Sequence, residues 1–176
     1  YIFNPGPFTL ALIKAISNPK DKIALVIEEI NRGNAPAIFG DIFQLLDRDD
    51  DSISEYGIKN VGMIDYLNAY EFTVGGEKKR YHFDEIKIPG NLDIYATMNT
   101  SDQSLFPIDS AFKRRWEWQY IPIDTEQEKW AISTSKGDYA WSSFLDRINE
   151  QINDATSSED KKLGFYFCKA TNRVIT

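Results

Sequence analysis

Ile23-Ala24-Leu25-Val26-Ile27-Glu28-Glu29-Ile30-Asn31-Arg32-Gly33-Asn34 is the stretch on which the fold turns. Five apolar residues, Ile23 to Ile27, run without alternation and stop at two adjacent carboxylates, Glu28 and Glu29. A short, wholly apolar run suits a strand buried on both faces, as in a parallel sheet covered by helices. In open α/β sheets, ligands bind just beyond the carboxyl ends of such strands. Two acids placed there can do metal and water chemistry. One holds Mg²⁺ directly or through water, and the other orients an attacking water. The same pair also suits a plain solvated turn, and the stretch alone leaves both readings open.

Working outward, the chain before the strand reads as a helix. Phe8, Leu12, Ile13 and Ile16 fall on one face at helical spacing, after the turn Asn4-Pro5-Gly6-Pro7 and before Pro19. After the acids, Asn34 can cap a second helix whose early Pro36 needs no partner for its missing N–H. Its expected apolar face is Ile38, Phe39, Ile42, Phe43 and Leu46, with Asp41, Gln44 and Asp47 outward. The run Asp47-Arg48-Asp49-Asp50-Asp51 lacks the glycine and distal glutamate of a calcium loop and reads as a solvated helix end. Helix, strand, acidic turn and helix in that order make an α/β unit.

Further on, residues 70–74 and 79–83 flank Gly75-Gly76 as a β-hairpin, which Ile86 to Ile88 are expected to extend. Leu92 to Met98 is a second core strand that runs into Asn99-Thr100-Ser101-Asp102. An amide such as Asn99 beside the first strand's acids can bind a phosphate oxygen or a water; an Asn-Thr turn is the plain alternative. Pro107 starts a short helix with Leu105, Ile108, Ala111 and Phe112 on its apolar face. Lys113-Arg114-Arg115 close it where cations favour the helix dipole, and Trp116 to Ile121 is expected to be a third core strand. On the helical wheel Arg115 lies toward Ile108 and Phe112, with Arg114 about 100° away, so the two cannot serve one partner unless the helix ends there.

Composition bounds the function. A chain of 176 residues with 42% hydrophobic and 14% aromatic content is a folded protein with one good core, or a core plus a small lid. A net charge of −7 argues against a grip on nucleic acid through this stretch as a whole. One cysteine, Cys168, makes no internal disulfide, and with one histidine, His82, it makes no zinc site. With no long apolar run and no signal peptide, a cytoplasmic protein without membrane contact is expected.

Three blocks carry a resemblance. Glu28-Glu29-Ile30-Asn31-Arg32-Gly33-Asn34, Ala96-Thr97-Met98-Asn99-Thr100-Ser101-Asp102-Gln103-Ser104 and Asp109-Ser110-Ala111-Phe112-Lys113-Arg114-Arg115-Trp116 resemble successive blocks of the McrB family. That family comprises AAA+ nucleoside triphosphatase subunits of restriction systems that cut modified DNA. Asn4 to Phe8 and Leu163-Gly164-Phe165-Tyr166-Phe167 are similar to further pieces of it. The resemblance implies an α/β AAA+ core of mainly parallel strands flanked by helices over residues 1–124, with an inserted β-hairpin. Residues 125–176 would be the start of a helical lid packed through Trp130, Ile132, Trp141, Phe144, Leu145 and Ile148.

It also implies a site. Glu28-Glu29 would be the Walker B pair, with Glu28 supporting Mg²⁺ and Glu29 polarising water. Asn99 would be the first sensor and Thr100 would lie beside the nucleotide. Arg114 or Arg115 would be the arginine finger that reaches the nucleotide of a neighbouring subunit. GTP or ATP would be hydrolysed in a ring of self-associated subunits that works with a nuclease subunit, DNA being bound elsewhere.

Three departures qualify this. No Gly-x-x-x-x-Gly-Lys-[Ser/Thr] occurs, so the chain lacks the loop and lysine that cradle phosphates. In the family that loop precedes the Walker B block, so the chain is expected to be part of something longer and not to bind nucleotide alone. Glu28 stands where the family commonly has Asp, and Gln103 where it usually has Arg. A related protein-remodelling ATPase and a degenerate scaffold that no longer hydrolyses are the alternatives.

Overall fold

The computed structural model describes residues 3–98, 106, 108–124, 128–158 and 161–175. They divide into two compact units, Tyr1–Glu117 and Trp118–Thr176.

In the first unit the leading helix is α1, Pro7–Ser17, with a proline in its first turn where no backbone N–H is needed. It buries Thr9, Ala11, Leu12, Ile13 and Ala15. Strand β1 is Ile23–Ile27 and β4 is Leu92–Ala96; they pair in parallel with Ile23 opposite Leu92 and Ile27 opposite Ala96. α1 packs on both strands. Asn91 ties the corner together: its side-chain amide donates to the carbonyls of Ala15, Asn18 and Asp21 at 3.0–3.1 Å, so the end of α1 is capped from the residue before β4.

The expectation that Ile23–Ile27 is buried on both faces is not met. Ile23 is buried and Leu25 and Ile27 half-buried, whereas Ala24 and Val26 are exposed. The strand's two-residue period turns alternate side chains to opposite faces, and among the described residues only one face meets the core.

The second helix is also shorter than its pattern. α2, Ala35–Phe39, is capped by Asn34 Oδ1, which accepts from Ala37 N at 3.3 Å. Gly40 then takes a positive φ of 49°, and the chain continues to Leu46 as a 3-10 helix. The change of winding rotates the apolar face. Leu45 and Leu46 are buried with Phe39, while Ile38, expected inside, is 71% exposed. Asp47, expected outward, is instead half-buried against Arg115.

The remaining elements of this unit frame the sheet. α3, Val61–Ala69, starts at Asn60, whose Oδ1 accepts from Met63 N at 3.0 Å. The hairpin is β2, Phe72–Val74, with β3, Glu77–Lys79, turned by Gly75 and Gly76 at φ of 61° and 86°; its second strand starts at the turn and ends at Lys79, so residues 80–83, expected to form it, lie outside any strand. Ile86 to Ile88 do not lengthen it. Ile86 bridges Ile58 antiparallel, and Ile88 N donates to the buried Ser54 Oγ at 2.9 Å. Both isoleucines thereby enter the core, whereas β3 is fully exposed and has no apolar face to extend. α4 is only Ser110–Lys113, capped by Asp109 Oδ1 on Phe112 N at 2.7 Å. Leu105 and Pro107 of that expected helix lie outside the described residues. Trp116 to Ile121 is not a strand: Trp118, Tyr120 and Ile121 are exposed and pair with no strand among the described residues.

Among the described residues the second unit holds one α-helix, a 3-10 turn at Phe165–Phe167 and a three-stranded sheet, where the start of a helical lid is expected. β5, Ala131–Thr134, lies between antiparallel β6, Gly137–Ala140, and parallel β7, Val174–Ile175. α5, Trp141–Thr156, packs through Trp141 and Leu145 on Phe165, joined by Trp130, Ile132, Ile148 and Cys168. Phe144, expected in this core, is half-exposed and stacks on Trp141. Asn149 pairs with both backbone groups of Leu163 at 2.7 and 2.9 Å, which holds the returning chain on α5.

Candidate functional site

Parallel pairing brings the carboxyl ends of β1 and β4 side by side, and the acidic turn grows from that edge. Thr97 N donates to Ile27 O at 2.9 Å, and Ile30 N donates to Thr97 O at 2.9 Å. Thr97 Oγ1 accepts from Glu29 N at 3.1 Å. Three hydrogen bonds thus fasten the turn to the residue just past β4. They also hold Glu29 at φ 53°, ψ 53°, a left-handed conformation that costs a non-glycine residue about 1 kcal/mol or more.

The turn is a strained, anchored stalk that presents two carboxylates. Glu28 and Glu29 are both exposed. With Val26, Arg32 and Thr97 they line an open concavity of about 510 Å³. Arg32 lies three residues on, at the end of a single 3-10 turn from Ile30, and its Nε donates to Glu29 Oε2 at 2.6 Å. Neither Arg32 nor Thr97 is among the candidates read from the sequence. A signal for Arg32 was its i+3 spacing from Glu29, but nothing local marked Thr97 as the anchor of a turn 68 residues away.

Asn99 and Thr100, and with them Gln103, lie outside the described residues, so the structure does not locate them. The two arginines are separated. Arg115 is turned into its own unit: Nε and Nη2 donate to Asp47 Oδ2 at 3.1 and 2.8 Å, and Nη1 to Ala111 O at 2.8 Å. Its guanidinium lies 4.1 Å from the centre of the Phe43 ring, which stacks on Phe112. Arg114, at the C-cap of α4, is exposed.

Among the described residues no cluster of three or more His, Cys, Asp or Glu side chains can hold a metal ion. Two exposed, adjacent carboxylates fit the way Mg²⁺ is bound with nucleotides, through one or two acids with water and phosphate completing its shell. They do not fit a protein-built cage.

Comparison with known proteins agrees with the blocks. The chain is 41% identical over 177 residues to the Type II restriction enzyme BsuMI component YdiS of Bacillus subtilis (strain 168), covering 96% of this chain and 49% of that protein. It is 26% identical over 164 residues to the Type IV methyl-directed restriction enzyme EcoKMcrB subunit of Escherichia coli (strain K12), covering 88% of this chain and 32% of that one. Both relatives are restriction-enzyme components. The chain spans about half, or less, of the curated relatives it matches. No family model matches it. Similarity along nearly the whole chain therefore supports a restriction-system protein, and it includes the acidic turn within its span. No helix among the described residues is long and apolar enough to cross a membrane.

Proposed function

We propose that this chain is the Walker B part of an AAA+ nucleoside triphosphatase subunit in a restriction system, hydrolysing GTP or ATP. The observation that carries the reading is the β1–β4 edge, where parallel strands set an anchored acidic turn beside the chain leading to Asn99. Similarity to the methyl-directed EcoKMcrB subunit supports the restriction context. Glu28 and Glu29 are the groups that would hold Mg²⁺, which neutralises phosphate charge when bound. Glu29 accepts the proton of the attacking water, and Asn99 with Thr100 orients water or phosphate.

Arg114 is the arginine finger in this reading, because Arg115 already spends its donors on Asp47 and Ala111. The finger acts on a neighbouring subunit's nucleotide, so the subunits work as a ring, alongside a nuclease subunit. Cradling of the phosphates and reading of DNA are assigned to segments outside these 176 residues.

Glu29→Gln tests the reading in the whole protein. It keeps size and hydrogen bonding but removes the proton acceptor, so turnover of GTP or ATP should fall roughly 10²–10⁴-fold with nucleotide binding retained. Unchanged turnover would remove Glu29 from the chemistry.

A further inference from the structure

Arg114 follows a helix of a single turn, Ser110–Lys113. One turn of helix does not hold its own shape in water. The contacts that fix the backbone on either side of Arg114 therefore decide where its exposed side chain is offered. We propose that the Asp47–Arg115 pair is a latch that aims Arg114, which makes Asp47 and Arg115 positioning residues for the neighbouring subunit's site. This rests on the nucleotide-hydrolysing reading.

Three features carry it. The chain is tied down on both sides of Arg114. Before it, Phe112 is 1% exposed and packs on Phe39 and Phe43. After it, Arg115 Nη1 donates back to Ala111 O at 2.8 Å, satisfying a carbonyl that the helix end leaves open. Arg115 Nε and Nη2 both donate to Asp47 Oδ2, and the guanidinium face lies on the Phe43 ring. A planar fork held on its edges and one face fixes the chain that bears it. Secondly, the acceptor is itself anchored. Asp47 ends the 3-10 segment behind buried Leu45 and Leu46, and its carbonyl accepts from Glu55 N at 2.8 Å. Thirdly, neighbouring residues on a helical turn lie about 100° apart, so holding Arg115 inward sets Arg114 outward.

The tests are made in the whole protein. Asp47→Asn keeps size and removes the charge that holds Arg115. It should lower kcat roughly 10–10²-fold, less than loss of Arg114 itself, and leave KM nearly unchanged. Placed in the Arg114→Ala background it should cause no further loss, because the group it aims is gone. Arg115→Lys keeps the charge without the fork, and Asp47→Glu keeps the carboxylate one methylene further out. Each should give a smaller loss in the same direction, and both keep the latch testable should Asp47→Asn fail to fold.

Mixing variants separates aiming from plain structural damage. A latch variant keeps its own acids and spoils its neighbour's site. Asp47→Asn mixed with Glu29→Gln should therefore gain activity over the mean of the two. Mixed with Arg114→Ala it should gain none, since neither protein offers an aimed arginine. The reverse pattern, gain with Arg114→Ala and none with Glu29→Gln, would show that Asp47 only supports its own unit, and would overturn the latch. Unchanged turnover in Asp47→Asn, or a further loss in the Arg114→Ala background, would overturn it as well. Should Glu29→Gln leave hydrolysis intact, the nucleotide-hydrolysing reading itself falls. If Glu29→Gln and Arg114→Ala abolish turnover while Asp47→Asn does not lower it, only the latch falls.

Discussion

Two neighbouring arginines illustrate how little the residue type says by itself. Arg115 closes a cluster in which Phe43, Phe112, Phe39 and Trp116 pack ring to ring, and its charge is met by Asp47. Its side chain is only 20% exposed, so truncation strands a partly buried carboxylate and the Ala111 carbonyl. Arg115→Ala should lower stability by about 1–3 kcal/mol, measured by urea denaturation. Arg114→Ala should change stability by no more than about 0.5 kcal/mol, because its side chain is exposed. If Arg114 is the finger, the same substitution should nonetheless cut turnover in the whole protein on the order of 10³-fold. Loss of turnover only with Arg115→Ala, at equal stability, would reverse the assignment.

At the scale of elements, asparagines do much of the joining. Asn68 pairs with both backbone groups of Phe83, at 2.7 and 3.2 Å, as Asn149 does with Leu163. Each side-chain amide imitates a strand neighbour and lets an irregular segment lie on a helix with its backbone satisfied. Asn149 is 7% exposed, so Asn149→Ala leaves an amide and a carbonyl unpaired inside the second unit. That should cost about 1–3 kcal/mol in denaturation, whereas exposed Asp154→Ala on the same helix should cost little. Ser54 plays the same part in the first unit. Its hydroxyl donates to Leu45 O at 2.7 Å and accepts from Ile88 N, joining the 3-10 segment to the approach to β4.

For the whole molecule, the testable consequence is dependence on what the 176 residues do not contain. They carry the acids but no glycine-rich loop with its lysine. Calorimetric titration of this chain with Mg²⁺ and GTP or ATP should show no saturable binding, and tight binding would require another phosphate cradle. Subunit cooperation is testable in the whole protein. On the proposed reading Glu29→Gln damages its own site and Arg114→Ala a neighbour's, so mixing the two variants should recover activity at interfaces that pair an intact base with an intact finger. Mixed rings that assemble but stay inactive would count against a finger acting between subunits.

What the sequence by itself determined were the features that neighbouring residues settle. These include α1 with its apolar face, the turn at Gly75-Gly76, the cap at Asn34, both strands of the parallel pair and the acidic turn at the end of one. Each follows from local periodicity or from a side chain bonding its own backbone, which short stretches encode. The departures share another cause. Ile38 lost its place when Gly40 changed the winding, and Trp116 to Ile121 found no strand partner among the described residues. Arg115 met Asp47 across 68 residues, and Thr97 met Glu29 across as many. Pairing and burial are settled by what the chain brings opposite a residue, so only the tertiary structure could show that Thr97 anchors the acidic turn and that Arg32 pairs with Glu29.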